Sequence, residues 1–177
     1  QERQLSIFDD AQVHPCIALL RPSMASEASQ ILNSLSCQSI TMFELNNQLK
    51  ADTHLIGDME LTKVLLMNDS RYPWVILVPR REDITEIHQL NQQDRKQLME
   101  ESCFVSEFIE NNFRVIKMNV GALGNIVSQL HVHHIGRHEK DPAWPGPVWG
   151  HSAAEPYKAD ALQQQLELFS GLPLITY

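Results

Sequence analysis

Two apolar runs joined by a short polar turn constrain the fold of this chain more than any other feature. Leu61 to Met67 reads Leu-Thr-Lys-Val-Leu-Leu-Met, and Trp74 to Val78 reads Trp-Val-Ile-Leu-Val. Between them lie Asn68, Asp69, Ser70, Arg71, Tyr72 and Pro73, a cluster of turn formers. Apolar runs of strand length bounded by such a cluster predict an antiparallel hairpin, with Pro79 ending its second strand. Asn91 then stands as a cap before Gln92 to Asn112, a predicted long helix. Its inner stripe is expected to be Leu98, Cys103, Val105, Phe108 and Ile109, with acidic residues outside. Val115 to Gly121 and Ser128 to Gly136 predict two further strands. Ala159 to Ser170 predicts a last short helix, closed by Gly171 and Pro173. A helix inserted between two hairpins gives an α+β fold rather than alternating βαβ units. The expected architecture is an antiparallel sheet of about five strands with one long helix and a short C-terminal helix.

Upstream of Met42 the pattern weakens. Only Ser23 to Leu35 places apolar residues on one side of a short helix, so residues 1–41 are read as a loosely packed or partly helical extension. The chain of 177 residues is 43% hydrophobic and 20% charged, which excludes a disordered polymer and provides for a real core. No apolar run approaches the ~20 residues that span a bilayer, so no membrane partner is expected. Gln1 to Asp10 lacks the basic stretch and apolar core of a signal peptide. Cys16, Cys37 and Cys103 sit far apart, which argues against a disulfide framework and fits a reducing cytoplasm. Cys103, placed on the inner stripe, is expected in the core. The net charge of −8 argues against non-specific nucleic-acid binding. That charge is uneven: residues 1–60 carry −5, residues 114–151 carry +2. Five of the eight histidines fall in that basic segment, within 21 residues.

The informative stretch runs from Gly124 to Arg137. On a strand, alternate side chains share a face. Gln129, His131 and His133 therefore share one, and Leu130, Val132 and His134 the other. The second face is apolar except for His134, which is expected as a buried, hydrogen-bonded residue. The first presents two imidazoles side by side. Neutral imidazole is both nucleophile and base near neutral pH. The loop Gly121-Ala122-Leu123-Gly124-Asn125 before the strand can turn backbone N–H groups toward a phosphate. A nucleophilic His, a neighbouring His and a phosphate cradle make a phosphoryl or nucleotidyl transfer site.

On these residues the sequence resembles the histidine triad family, whose signature alternates three His with apolar residues near the end of an α+β domain. The hairpin Leu65 to Arg81 resembles that family's nucleotide-binding hairpin, and Lys117 to Asn125 its phosphate-contacting strand and loop. Asp141 to Gly150 resembles the Trp-containing extension of several branches. Leu-Leu-Met-Asn-Asp, Arg-Tyr-Pro-Trp, Val-Pro-Arg-Arg and Gln-Leu-His-Val-His-His are most similar to a bacterial branch of small histidine triad proteins. The resemblance covers roughly Met42 to Gly171. It places the domain at residues 42–157, with a C-terminal helix and tail at 158–177.

The resemblance implies hydrolysis or transfer at the α-phosphate of a nucleotide through a covalent nucleotidyl-histidine, without a metal or other cofactor. His131 would be the nucleophile, and His133 would stand near the leaving group. Asn119, Gly124 and Asn125 would contact phosphate, Asn68 the ribose hydroxyls, and Leu65, Leu66 and Met67 the base. Substrates would be dinucleoside polyphosphates or nucleoside phosphoramidates, and the protein a homodimer with a sheet continued across the two-fold axis. The chain departs from the family pattern at several points. Gln129 replaces the first triad His, although its carbonyl can still fix the His131 tautomer. Trp74 replaces a more distant His, and Ile126 stands where a hydroxyl is common. The hairpin turn is about two residues shorter than in better-known branches.

Other readings compete. His131 and His133 with His138 or His151 could hold a metal, though the spacing fits no standard zinc motif. Both could be structural residues. A nucleotide-binding protein with little catalysis, or a dimeric interaction module, are the alternatives of function. Arg80 and Arg81 are surface charges or steer phosphate. Trp144 and Trp149 are packing anchors or reach a partner subunit.

Overall fold

The hairpin grows into a single antiparallel sheet of five strands in the order β1-β2-β3-β5-β4. The strands are β1 (Thr53–Asp58), β2 (Thr62–Met67), β3 (Trp74–Pro79), β4 (Lys117–Gly121) and β5 (Val132–Arg137). Among the described residues, three α-helices accompany them: α1 (Asn47–Asp52), α2 (Gln92–Asn112) and α3 (Ala159–Phe169). This computed structural model describes residues 43–176, and the short helix expected at Ser23 to Leu35 lies outside them. Among the described residues, no helix is long and apolar enough to cross a membrane.

β3 is buried at every position, as its unbroken apolar run requires. The sheet therefore has a core on each face. Leu65, Trp74, Ile76 and Ile135 project to one face, where Leu49, Tyr72, Ala143 and Val148 cover them. Val64, Leu66, Val75 and Leu77 project to the other, against Val105 and Ile109 of α2 and Phe169 of α3. The Phe169 ring lies against those of Phe108 and Phe113, with centroids 5.4 and 5.7 Å away. Close approach of α2 to β5 depends on Gly136. A Cβ there would meet Val115 Cγ1 at 2.5 Å and Ile109 Cγ2 at 2.8 Å.

α2 spans the predicted range, and Asn91 caps it by accepting from the Asp94 N–H at 2.9 Å. Its buried stripe differs from the expected one. Leu98, Glu101, Val105 and Ile109 face inward, while Cys103 is exposed. Cys103 lies two residues from Val105, about 200° around the helix, and so points away from the sheet. Glu101 is inward for a polar reason: it accepts from Leu61 N (2.7 Å), Thr62 N (3.0 Å) and Thr62 Oγ1 (2.6 Å). It thereby satisfies the backbone where β2 begins.

β5 also corrects an expectation. It starts at Val132 rather than Ser128, because β3 pairs with it only as far as Leu77↔Val132 and β4 only as far as Gly121↔His133. Residues 128–131 leave the ladder, and the Leu130 N–H turns to the Ile84 carbonyl instead. β1 is not distinguished by its sequence. A bulge between Leu55 and Gly57 breaks its alternation, so the two-residue period is lost within one short strand.

Candidate active site

Where β5 lies between β3 and β4, the side chains of His131 and His133 turn to the same face of the sheet, with ring centroids 4.9 Å apart. Their hydrogen bonds fix opposite tautomers. His131 Nδ1 lies 2.7 Å from the Gln129 carbonyl, which can only accept, so Nδ1 carries the proton. The lone pair of a neutral His131 is then on Nε2. Trp74 Nε1, which can only donate, lies 3.0 Å from His133 Nδ1. His133 is thus an Nδ1 acceptor, and its proton is on Nε2. The Trp74 and Trp149 rings stand edge-on to that imidazole, with centroids 5.5 and 5.8 Å away. Burial, reinforced by neighbouring His131 and His134, pushes the His133 pKa down to about 3. It is a neutral ring at any physiological pH.

These two imidazoles lie at a pocket of about 510 Å³. Leu49, Met67, Trp74, Ile76, Val148 and Trp149 give it apolar walls. Gly124 and Asn125 lie on its rim, and Gly124 adopts φ +71°, a conformation that favours glycine. Gln48, Asp52, Thr53, Asp69 and Ser152 add polar groups. Asp69 is buried and engaged by the Arg71 guanidinium through both oxygens, at 2.8 and 2.6 Å. Arg71 in turn donates to Ser152 Oγ and the Ala153 carbonyl, which ties residues 152–153 to the hairpin turn.

The structure gathers His131, His133, Met67, Gly124 and Asn125 around this pocket. It does not bring in the side chains of Leu66, Asn68, Asn119 or Gln129. Leu66 is fully buried against the opposite core, because its neighbours Leu65 and Met67 take the pocket face. Asn68 Oδ1 accepts from Tyr157 N at 3.1 Å. Asn119 Oδ1 accepts from Arg137 Nη1 at 2.6 Å. Arg137 is itself buried and paired with Asp141 through two bonds of 2.7 and 2.9 Å. The Gln129 amide accepts from Asn46 N and donates to the Glu44 carbonyl, both at 2.9 Å, and so holds the chain entering α1.

Asp69, Trp149 and the α1 residues join the pocket without having been expected there. Strand alternation through Leu65 and Met67 to position 69 is the sequence signal for Asp69. None exists for α1, which reaches the pocket only by tertiary folding. His134 faces the helix side, with Nε2 2.6 Å from Ser102 Oγ, and burial pushes its pKa down to about 4. Arg81 is paired with Asp94, and Arg80 donates to the Met59 and Glu60 carbonyls. Trp144 lies over the Arg137 guanidinium rather than in the pocket. Among the described residues, no group of three or more His, Cys, Asp or Glu side chains is placed to hold a metal ion.

Comparison with known proteins gives a consistent result. The family model of the HIT domain matches residues 48–140. A histidine triad protein of Marinobacter aquaeolei VT8 is 49% identical, with a TM-score of 0.71 over 72% of this chain and 93% of that one. A histidine triad protein of Bradyrhizobium japonicum is 43% identical, with a TM-score of 0.71 over 72% and 96%. A third, from Sinorhizobium meliloti 1021, is 44% identical with the same TM-score over 74% and 97%. No curated protein matches the chain.

Proposed function

Since the chain belongs to the histidine triad (HIT domain) family, which supports a nucleotide-binding or hydrolase-type function in general, we propose that it cleaves nucleotides at the α-phosphate through a covalent nucleotidyl-His131. The observation that carries this reading is the pair of complementary tautomers at one pocket. His131 offers an Nε2 lone pair because the Gln129 carbonyl holds its Nδ1 proton. His133 offers an Nε2–H because Trp74 occupies its Nδ1. A lone pair beside an N–H donor suits in-line attack on phosphorus with stabilisation of an oxygen on the reacting phosphoryl group. Gly124 and Asn125 stand where backbone N–H groups can meet phosphate, and Met67 with Leu49 and Trp149 offers an apolar bed for a base.

In this scheme Nε2 of His131 forms a bond to the α-phosphorus as the bond to the leaving group breaks. Water then attacks the phosphorus, the P–N bond returns its electron pair to Nε2, the proton released by the water passes through Nε2 to solvent, and a nucleoside monophosphate leaves. The catalytic unit is the domain at residues 42–157, preceded by the 1–41 extension and followed by a helix and tail at 158–177. It works as a cytoplasmic homodimer, for which β4, an edge of the sheet, offers the pairing surface.

The test is to incubate the full chain with diadenosine tetraphosphate and with an adenosine phosphoramidate and to measure AMP. His131→Ala is expected to reduce release to background while circular dichroism is unchanged. AMP release that survives in that variant would overturn the nucleophile assignment. The engagement of the Gln129 amide by Glu44 and Asn46 favours a second reading, a nucleotide binder with little turnover, since that amide no longer reaches the pocket. Micromolar AMP binding without turnover of either substrate would establish it.

A further inference from the structure

Trp74 has a chemical consequence for the site. From the acceptor geometry of His133 we infer that Trp74 restricts the pocket to substrates whose leaving group departs as a stable anion, such as a phosphate, polyphosphate or carboxylate, and disfavours amine leaving groups. The inference rests on the hydrolase reading above and deepens it.

An imidazole can act as a general acid when both its nitrogens are protonated. The Trp74 Nε1–H occupies Nδ1 of His133 at 3.0 Å, and indole N–H has no acceptor capacity to exchange for it. A second proton on His133 would have to displace that bond. The Trp74 indole cannot yield easily: Trp74 is buried, Tyr72 stands edge-on to it at 6.3 Å, and Trp149 does so at 6.5 Å. His133 is therefore an N–H donor that polarises an oxygen without giving up its proton. The low pKa of the ring points the same way.

No other proton source stands out among the described residues at the pocket. Asp69 is ion-paired with Arg71, Asp52 accepts from the Gln48 side-chain amide at 2.8 Å, the Ser152 hydroxyl is held by Arg71 and is too weak an acid, and the Thr53 hydroxyl donates to the Leu49 carbonyl at 2.6 Å. His131 cannot serve, because its Nε2 must be unprotonated to attack.

The difference between leaving groups follows from the balance of the first step. The N–P bond forms as the P–X bond breaks, and X leaves with the bonding pair. If X is a phosphate or carboxylate oxygen, it departs as a stable anion, and the His133 Nε2–H bond suffices to stabilise it. If X is an amine nitrogen, it must acquire a proton as it leaves, and His133 has none to give. General acid catalysis typically supplies ~10²–10⁴-fold in rate, so its absence is selective by that order.

The experiment compares kcat/KM for two substrates that share the adenosine 5′-phosphoryl group: diadenosine tetraphosphate and adenosine 5′-phosphomorpholidate. The expected result is a preference of about 10²-fold or more for the anhydride. Trp74→Phe, which removes the indole N–H while keeping an aromatic ring, is expected to narrow that ratio by at least about tenfold. A long-range ¹H–¹⁵N spectrum of the unmodified chain at pH 7 needs no variant and should show His133 wholly in the Nε2–H form. Release of AMP from the morpholidate as fast as from the tetraphosphate, or a protonated His133 Nδ1, overturns the inference while the hydrolase reading stands. Release from neither substrate overturns the hydrolase reading, and the inference falls with it.

Discussion

At the residue scale, side-chain alternation and hydrogen-bond partners divide the work of the triad segment. His131 and His133 reach the same pocket, as a two-residue spacing suggests, but His131 stands just ahead of β5 and Gln129, at the same spacing, turns away. What each ring does is not written in that spacing, because the groups that set the tautomers come from elsewhere. The Gln129 carbonyl is a backbone group that any residue would supply, whereas the indole on His133 arrives from a strand 59 residues earlier. The Gln129 side chain is the clearest case of a role hidden from sequence. Its partners, Glu44 and Asn46, lie more than 80 residues away and anchor the chain before α1. Gln129→Ala should therefore separate the two roles of this residue. Loss of two exposed hydrogen bonds should cost about 1 kcal/mol of stability in urea titration. AMP release should fall by no more than a few-fold, because the carbonyl still holds His131 Nδ1. A loss of turnover as deep as that of His131→Ala would mean that the Gln129 amide itself meets the substrate.

At the element scale, the hairpin and α2 are legible in the sequence because their residues act locally: an apolar run, a turn cluster, a capping Asn. Apolarity alone does not give the inner stripe of α2. Glu101 is buried because β2 opens with backbone and hydroxyl donors that need an acceptor, and Cys103 is left outside. β1 and α1 escape a sequence reading because a bulge disrupts one and the other is only six residues long. The junction of β5 with α2 turns on Gly136, whose missing side chain lets Val115, Ile109 and Pro73 close over the strand. Gly136→Ala puts a methyl group within 2.8 Å of two of those side chains and 2.5 Å of the third. Overpacking of this kind costs about 1–3 kcal/mol. The denaturation midpoint should fall accordingly, with an unchanged m-value. A stability equal to that of the parent chain would show that α2 can move away from β5 freely.

At the scale of the whole molecule, the same sheet that brings two imidazoles to the pocket also buries a third behind it, and both buried rings must stay neutral for the chain to fold. His133 and His134 have pKa values of about 3 and about 4, against an ordinary value of 6.5. Between those limits the unfolded chain binds protons that the folded chain refuses, so stability rises with pH. The contribution is fully present above pH ~6.5 and is lost as pH falls from there toward the folded values. Each ring adds a slope of up to about 1.4 kcal/mol per pH unit within its window. The Asp141 carboxyl acts in the same direction at lower pH: burial works to raise it, but Arg137 and the His138 and Ala143 N–H groups hold it below the ordinary range. A buried carboxylate and buried imidazoles would thus give similar acid denaturation curves, and a variant is needed to tell them apart. His134→Gln keeps an amide opposite Ser102 and removes one titrating ring. Urea midpoints measured from pH 7.5 to 4.5 should fall with acid in both proteins, with a slope between pH 6 and 4.5 about half as steep in the variant. Equal slopes would place the acid sensitivity in the carboxylates instead and would mean that His134 accepts a proton without leaving its site beside α2.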